Sequence, residues 1–172
     1  ILRKFGFKDL NEIAKISKAE TGKKFFSNEY QLTIDREILM IKRIVDKAEE
    51  SDEEELILKL DGENEIIIPE HLHTEIKELG SFNWKIDSDK ITFPLKLRRK
   101  KDGDVINPIG MIGKKKISKF FKDEKLSILA KQKIWLLTDG NNSVLGIIPF
   151  RQDRRYAKDE ETKSILTIFN EK

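Results

Sequence analysis

The stretch IWLLTDGNNSVLGII, residues 134–148, decides the fold class of this chain. Two short apolar runs, 134–138 and 144–148, flank the polar residues 139–142, Asp-Gly-Asn-Asn. Apolar runs of this length, bounded by residues that favour tight turns, are typical of β-strands. We therefore predict a β-hairpin here, with its turn at 139–142.

Further β-rich segments surround this hairpin, and turn signals such as Asp61-Gly62 separate them. Strands are predicted at 56–60, 65–68, 72–76, 90–98 and 164–169, and brief helices at 116–122 and 126–133. Strands and helices do not alternate as βαβ units, so the pattern predicts an α+β fold that is mostly β.

The N-terminal part of the chain has a different pattern. Leu10, Ile13 and Ile16 are spaced by three residues, which predicts an amphipathic helix within 8–18. Tyr30, Leu32 and Ile34 alternate, and an apolar run follows at 38–41 after a short turn at 35–37. We therefore predict a short helix followed by a hairpin.

Composition narrows the possible classes of protein. A chain of 172 residues, with 38% apolar and 38% charged residues, suits one ordinary domain or two small ones. No apolar run reaches the eighteen or so residues that a membrane span needs. The absence of cysteine excludes disulfides and cysteine-ligated metal sites, and it fits a cytoplasmic location. The chain starts without methionine or a signal-peptide pattern, so we expect a fragment of a longer protein.

Charge is distributed very unevenly. Residues 46–55 hold seven acidic residues and one lysine, a net charge of −6, whereas 96–125 hold eleven basic and four acidic residues, a net charge of +7. We interpret the acidic block as a linker or exposed loop and the basic block as a surface that faces a polyanion. The alternative is that each block is only a solvated face. A domain boundary within 46–55 is predicted, with a break near residue 95 as the alternative.

Turn chemistry and positive charge meet at 102–127. Gly103, Gly110 and Gly113 permit positive φ values and close approach of backbone amides, with Pro108 among them. The lysine run 114–116 then enters a predicted helix, where lysines oppose the helix dipole. A bound phosphate backbone would favour this arrangement, and the alternative is a solvated lysine run beside a tight turn.

The same residues carry a resemblance to a known family. The segments LRRKKDGDVINPIGMIGKKKISKFFKDEKLS (97–127) and WLLTDGNNSVLGIIPFRQDRRYA (135–157) resemble the C-terminal domain of the tRNA(Ile)-lysidine synthetase family. Its pattern is a basic strand, G-D, P-x-G-x-x-G, basic residues, a short helix near D-x-K, a hairpin and R-x-D-x-R-[FY]. Residues 5–7, 21–41 and 89–99 also resemble segments that lead to that domain. The match spans nearly the whole chain.

This resemblance implies an enzyme that uses ATP to adenylate the wobble cytidine of the CAU-anticodon isoleucine tRNA, which lysine then attacks. That chemistry belongs to an N-terminal ATP-pyrophosphatase domain with an S-G-G-x-D-S loop, a motif that is absent here. The resemblance implies ATP and Mg for that domain and no cofactor for this fragment, which alone is expected to be inactive. The fragment is expected to grip the acceptor-stem side of the tRNA and to help reject methionine tRNAs.

The resemblance also implies a domain plan. Residues 1–45 would end the middle, linking or substrate-binding region, 46–55 would be the acidic linker, and 56–172 would be the C-terminal tRNA-binding domain, with the family core at about 95–170. The implied fold is a sandwich of sheets with a few helices, shared with a domain of the phenylalanyl-tRNA synthetase β subunit.

Nine basic residues are the candidates for tRNA contact. Arg151 and Arg154, with Arg155, are expected either to extend the basic surface or to pair with Asp153. Asp104 is expected to fix the turn near Gly103, because its negative charge would oppose phosphate. The candidates are Arg98, Arg99, Lys100, Lys114, Lys115, Lys116, Lys119, Arg151 and Arg154.

Other residues favour structural roles. His71 and His73 would share a face of the predicted strand, but two histidines without a third strong ligand rarely hold a metal, so we predict no metal site. Trp84, Trp135 and Phe82 are expected in the core rather than stacked on bases, and one of Phe120 and Phe121 is expected to be partly exposed. No hydrolase, P-loop or zinc-protease motif occurs.

A non-catalytic module for protein interaction or homodimerisation, using the same basic face, is the alternative function.

Overall fold

The computed structural model describes residues 1–44 and 55–170 of the chain. The chain divides into two compact units, Ile1–Asp52 and Glu53–Lys172. Of the acidic block 46–55, only Glu55 lies among the described residues, so the linker prediction falls outside them. The assignment of 1–45 and 56–172 to particular regions of an enzyme stays a prediction.

The first unit is a helix with a small antiparallel sheet. After a 3-10 turn at Leu2–Phe5, helix α1 begins behind Asp9, whose carboxylate accepts a hydrogen bond of 2.7 Å from the amide of Asn11. The sheet has the order β1-β2-β3. The predicted helix and hairpin are confirmed, and β1 is an additional strand. The elements are α1 (Leu10–Ser17), β1 (Lys24–Phe26), β2 (Tyr30–Asp35) and β3 (Ile38–Arg43).

The core of this unit forms where the apolar face of helix α1 meets the apolar face of strand β2. Ile16 of α1 packs with Leu32 and Ile34, which point to one face of β2 because they are two residues apart, and with Phe7. Leu10 is mostly exposed, so the predicted apolar stripe of the helix is buried only at its C-terminal end.

The second unit is built from two larger sheets and a two-stranded ribbon. The five-stranded sheet has the order β13-β12-β11-β8-β4, the four-stranded sheet has the order β5-β6-β14-β7, and β9 pairs with β10. The α+β prediction is confirmed. The strands are β4 (Leu56–Ile57), β5 (Lys59–Leu60), β6 (Glu65–Ile67), β7 (Asn83–Asp87), β8 (Lys96–Arg98), β9 (Val105–Ile106), β10 (Lys115–Lys116), β11 (Trp135–Thr138), β12 (Val144–Ile148), β13 (Arg151–Gln152) and β14 (Ile165–Phe169).

The predicted central hairpin is confirmed as β11 and β12, which pair antiparallel. Every residue of both strands is buried, because the sheet is covered on both faces. Trp135 and Leu137 join the core shared with the four-stranded sheet, while Leu136 joins a second core beneath the short helix at 117–123. Gly146 lies where a Cβ would come within 2.3 Å of the Trp84 ring, so only glycine lets the two sheets approach here.

Three helices complete this unit. Helices α3 and α4 confirm the predicted brief helices, and α2 replaces the strand predicted at 72–76. Among residues 1–44 and 55–170, no helix is long and apolar enough to cross a membrane. The helices are α2 (Glu70–Leu79), α3 (Ile117–Asp123) and α4 (Ile128–Lys133).

The strand prediction at 72–76 was wrong for a physical reason. Leu72 and Ile76 are four residues apart and both are buried, as they would be on one face of a helix, whereas His73 between them is exposed. The prediction at 90–98 was too long, since only Lys96–Arg98 is strand.

The aromatic predictions were partly right. Trp84, Trp135 and Phe82 are buried, as expected. Phe120 and Phe121 are both buried, so the expectation that one would be partly exposed was wrong. A helix of seven residues that docks beneath a sheet turns adjacent positions toward the same core, and Ile117 joins them there.

Candidate nucleic-acid interface

The basic strand end is organised around a buried ion pair. Arg98 of β8 is only 3% exposed, and its two terminal nitrogens donate to the two carboxylate oxygens of Asp104 at 2.8 and 2.9 Å. Its Nε also donates to Asn142 at 3.1 Å. Bidentate pairing of this kind is strong and directional. The charge of Arg98 is therefore used inside the fold and is not displayed to solvent.

Asp104 also fixes the turn that follows. Its Oδ2 accepts a hydrogen bond of 2.7 Å from the amide of Lys101, and its backbone carbonyl accepts from the amide of Ile117 at the start of α3. Burial raises the pKa of this carboxyl, but the hydrogen bonds from Arg98 and Lys101 outweigh burial, so the pKa lies below its ordinary value. The geometry is that of a turn-fixing residue.

A second buried aspartate anchors the glycine-containing loop. Asp153 is fully buried, and its Oδ2 accepts a hydrogen bond of 2.9 Å from the amide of Asn107. Arg155 donates to both oxygens of Asp153, through Nε at 3.0 Å and Nη2 at 2.8 Å, and this hydrogen bonding raises the pKa of Arg155. The amide of Arg154 donates to the carbonyl of Asn107 at 2.9 Å. The loop and the segment 151–155 are thus held together.

Arg99 and Lys100 also form ion pairs with acidic side chains of the same unit. The Arg99 guanidinium lies 3.6 Å above the centre of the Trp135 ring, and its Nη2 contacts Glu75 at 3.2 Å. Lys100 contacts Asp102 at 3.2 Å. The three predicted contact residues at the strand end are therefore all paired with acidic side chains.

The lysine run after Gly113 is arranged differently. Lys115 and Lys116 form β10, which pairs with Val105–Ile106. Because successive strand residues point to opposite sides, Lys115 turns inward and contacts Asp123 at 2.7 Å, while Lys114 and Lys116 are exposed. The hydrogen bond from Lys115 lowers the pKa of Asp123. The run precedes the helix rather than occupying its first turn, where only Lys119 lies.

Helix α3 continues the exposed charge. Lys116, Lys119 and Lys122 recur every three residues on the side opposite Ile117 and Phe120, and all three lysines are exposed. Within 1–44 and 55–170, none of these lysines forms an ion pair, and neither do Lys114 and Arg151. We call the following set the basic surface: Lys114, Lys116, Lys119, Lys122, Arg151 and Arg154.

The three predicted glycines lie in turns and adopt positive φ values. Gly103, Gly110 and Gly113 have φ values of 90°, 79° and 79°, in the left-handed region that favours glycine. Pro108 is buried and forms an isolated β-bridge with Asp153. These positions hold the chain in the tight path that brings β10 against β9.

The two histidines occupy a helix. His71 and His73 lie on helix α2 rather than on a strand, and the His73 ring contacts the carbonyl of Ile68 at 2.9 Å. In the part of the chain that the structure describes, no three histidine, cysteine or acidic side chains are grouped closely enough to hold a metal ion.

Sequence reasoning missed two features of this surface. Lys122 was not a candidate, although its spacing of three from Lys119 indicates a shared helix face. The fully exposed Ile112 was also passed over, because an isoleucine between glycines carries no charge signal.

The second unit is thus a mostly β module with a preorganised basic surface. A family model described as the TilS substrate binding domain matches residues 1–44 of the chain. The match covers the described part of the first unit.

Relatives match over nearly the whole chain. A tRNA(Ile)-lysidine synthase of Parabacteroides distasonis is 32% identical over 98% of this chain and 39% of the relative. One of Bacteroides thetaiotaomicron is 32% identical over 94% of this chain and 36% of the relative. A solved structure described as the TILS C-terminal domain shares 19% identity, with a TM-score of 0.45, over 51% of this chain and 68% of that one.

The chain belongs to the tRNA(Ile)-lysidine synthase family. It spans 39% and 36% of the lengths of the two relatives. The resemblance stated from the sequence is confirmed.

Proposed function

We propose that this chain is the C-terminal tRNA-binding part of an ATP-dependent tRNA(Ile)-lysidine synthase, which attaches lysine to the wobble cytidine of the CAU-anticodon isoleucine tRNA. The observation that carries the proposal is the basic surface, where the four exposed lysines Lys114, Lys116, Lys119 and Lys122 form no ion pair among residues 1–44 and 55–170, although Lys119 and Lys122 lie near enough to Asp123 to lower its pKa. The names of the relatives supply the identity of the RNA.

The physical argument starts from the cost of unpaired positive charge. Lysines this close repel one another, and a phosphate backbone removes that repulsion while it releases counterions. Lysine and arginine contacts of this kind position an RNA without reading its sequence. The buried anchors Asp104 and Asp153 hold the surface in place before RNA arrives, which reduces the ordering cost of binding.

The proposal revises the predicted contact set. Arg98, Arg99, Lys100 and Lys115 form ion pairs with acidic side chains of the same unit, so we remove them from the contact set. Lys114, Lys116, Lys119, Arg151 and Arg154 remain in the set, and Lys122 joins it. This surface would hold the acceptor-stem side of the tRNA.

The catalytic chemistry is assigned elsewhere. The sequence has no S-G-G-x-D-S motif, and the relatives are more than twice as long as this chain. We place adenylation, with its ATP and Mg, in the part of the enzyme that this chain does not cover, and we expect these 172 residues alone to be inactive. A cytoplasmic location belongs to the same proposal.

Binding at two salt concentrations tests this function. We expect the 172-residue chain to bind the CAU-anticodon isoleucine tRNA with an affinity that falls with salt, and the double variant Lys116→Glu, Lys119→Glu to lose most of that affinity at unchanged fold. Lys158→Glu, Lys163→Glu is the matched control, since both lysines are exposed and lie outside the basic surface. Salt-insensitive binding, or equal loss in both double variants, would contradict the proposal.

A methionine tRNA in the same assay addresses discrimination. Tighter binding of the isoleucine tRNA would assign both tRNA binding and discrimination against methionine tRNA to this chain. Equal affinity for the two tRNAs would assign only tRNA binding to it.

One contact favours a second candidate function, docking of the basic strand on an acidic protein surface. Glu55, the last residue of the acidic block, contacts Lys96 at 3.0 Å and lies 4.0 Å from Lys101. A protein-interaction or dimerisation module that uses this strand predicts that Lys96→Glu, Lys101→Glu changes the oligomeric state and leaves tRNA affinity unchanged. Light scattering beside the binding assay separates the two candidates.

A further inference from the structure

An apolar side chain stands at the tip of the loop within the basic surface. We call residues 108–113 the tip loop. Ile112 is fully exposed, as in an extended chain, and Ile109 is 45% exposed. Burying an isoleucine stabilises a protein or a complex, so an isoleucine left in solvent makes no such contribution to the stability of this unit.

The tip loop is held in this exposed conformation. The amide of Ile109 donates to the carbonyl of Gln152 at 3.0 Å, and the amide of Met111 donates to the carbonyl of Pro108 at 3.2 Å. Asn107, just before the loop, is bound to the buried Asp153. Ile112 is therefore presented by a braced turn, and its exposure does not result from a loose loop.

Positive charge adjoins the tip. The Arg154 Nη1 donates to the carbonyl of Met111 at 3.5 Å, and Lys114 follows the loop directly. A partner that binds here needs an apolar surface for Ile112 and an adjacent anionic group for the cations. A nucleotide has both, since its base has an apolar face and its phosphate is anionic.

An anionic membrane also combines apolar and negative groups, but the tip suits it less well. The tip exposes one complete isoleucine side chain and part of a second, which is a small apolar area. Even a single myristoyl chain, which is longer, gives only marginal membrane binding. An RNA contact needs no more than one side chain against one base.

We propose that Ile112 packs against the exposed face of an unpaired nucleotide of the bound tRNA, while Lys114 and Arg154 bind the flanking phosphates. This inference rests on the proposed function and adds a residue and an RNA feature to it. In a duplex the faces of the bases are covered by stacking, so an aliphatic side chain finds a free base face only at unpaired nucleotides or ends.

The test compares two RNAs, a two-stranded duplex with a single-stranded 3′ tail and the same duplex with blunt ends, which has no unpaired nucleotide. For the tailed RNA we expect Ile112→Ser to weaken binding roughly three- to tenfold and Ile112→Trp to strengthen it, since aromatic rings stack on bases. Neither change should alter the salt slope, because neither removes a charge. Ile67→Ser, at another exposed isoleucine on β6, is the matched control and should leave affinity unchanged.

The outcomes separate the two proposals. Salt-dependent binding that is unchanged in Ile112→Ser overturns the inference and leaves the proposed function intact. Equal weakening on blunt and tailed RNA overturns the assignment to an unpaired nucleotide. If the chain shows no salt-dependent RNA binding at all, both proposals fail. Binding to phosphatidylglycerol vesicles that Ile112→Ser abolishes, with RNA affinity unchanged, overturns the inference in favour of a membrane contact.

Discussion

Two basic segments of this chain look alike in sequence and are used differently in the structure. Residues 96–101, KLRRKK, and 114–119, KKKISK, carry similar charge. The first begins in β8, between β11 and β4 in the five-stranded sheet, and there Arg98 and Arg99 pair with acidic side chains. The second runs along the small ribbon and α3, where three of its four lysines are exposed. Position in the fold, rather than charge density, decides which cations are available to a partner.

The largest expected effect breaks the buried pair. Asp104→Asn leaves the Arg98 guanidinium buried without a counter-charge, so we expect the free energy of unfolding to fall by about 3 to 5 kcal/mol. Urea unfolding measures this. Asp102→Asn is the matched control, since that carboxylate is fully exposed, and we expect a change within about 0.5 kcal/mol. Similar losses in both variants would show that Arg98 does not depend on Asp104.

The same pair gives a pH dependence with a defined sign. The folded-state pKa of Asp104 lies below its unfolded value, which is about 3.9. Its stabilisation is therefore fully present above the unfolded pKa and is lost as the pH falls through the folded pKa. We expect the stability gap between wild type and Asp104→Asn to be constant from about pH 5 upward and to narrow below about pH 4. A gap that widens in acid would contradict the direction of the shift.

A smaller effect is expected where Arg99 stacks on Trp135. Arg99→Ala removes the stacking and the contact with Glu75, and we expect the free energy of unfolding to fall by about 1 to 2 kcal/mol. Arg99→Lys keeps the charge without the planar group, so it should recover only part of this. Full recovery in Arg99→Lys would show that stacking contributes nothing.

The smallest effect on stability is expected at the exposed lysines. Lys116→Gln, Lys119→Gln and Lys122→Gln together should change the free energy of unfolding by less than about 0.5 kcal/mol per site, because all three lysines are exposed and none forms an ion pair among residues 1–44 and 55–170. The slope of log affinity for tRNA against log salt should become shallower by about 0.7 to 0.9 for each phosphate that the variant no longer neutralises. A large fall in stability here would make these lysines structural, like Arg98.

Local pattern was enough for several elements. The hairpin of β11 and β12, the helices α3 and α4 and the N-terminal helix and hairpin follow from apolar runs, turn residues and spacing, because each forms from contacts close in sequence. Segment 72–76 was mistaken for a strand, since a short apolar pattern fits either period and only its packing beneath the four-stranded sheet selects the helix.

The candidate site was predictable only in part. The basic block, the glycine turns and Asp104 are visible as composition and spacing, whereas the family was indicated by the resemblance of several motifs in order. Which of the charged side chains are buried could not be predicted from composition and spacing, because burial depends on which strands lie beside one another in the sheet.

The sequence by itself determined the α+β class, the central hairpin and a concentration of positive charge beside tight turns, since these depend on residue type and short spacing. The tertiary structure alone decided that Arg98 is buried against Asp104, that Lys115 turns to Asp123 while Lys116 faces solvent, and that Ile112 stands exposed among cations. The physical reason is that burial and exposure are set by neighbours distant in the chain: Arg98 lies in a strand between β11 and β4, and the loop that carries Ile112 is held by the hydrogen bond between Asn107 and Asp153, which are 46 residues apart.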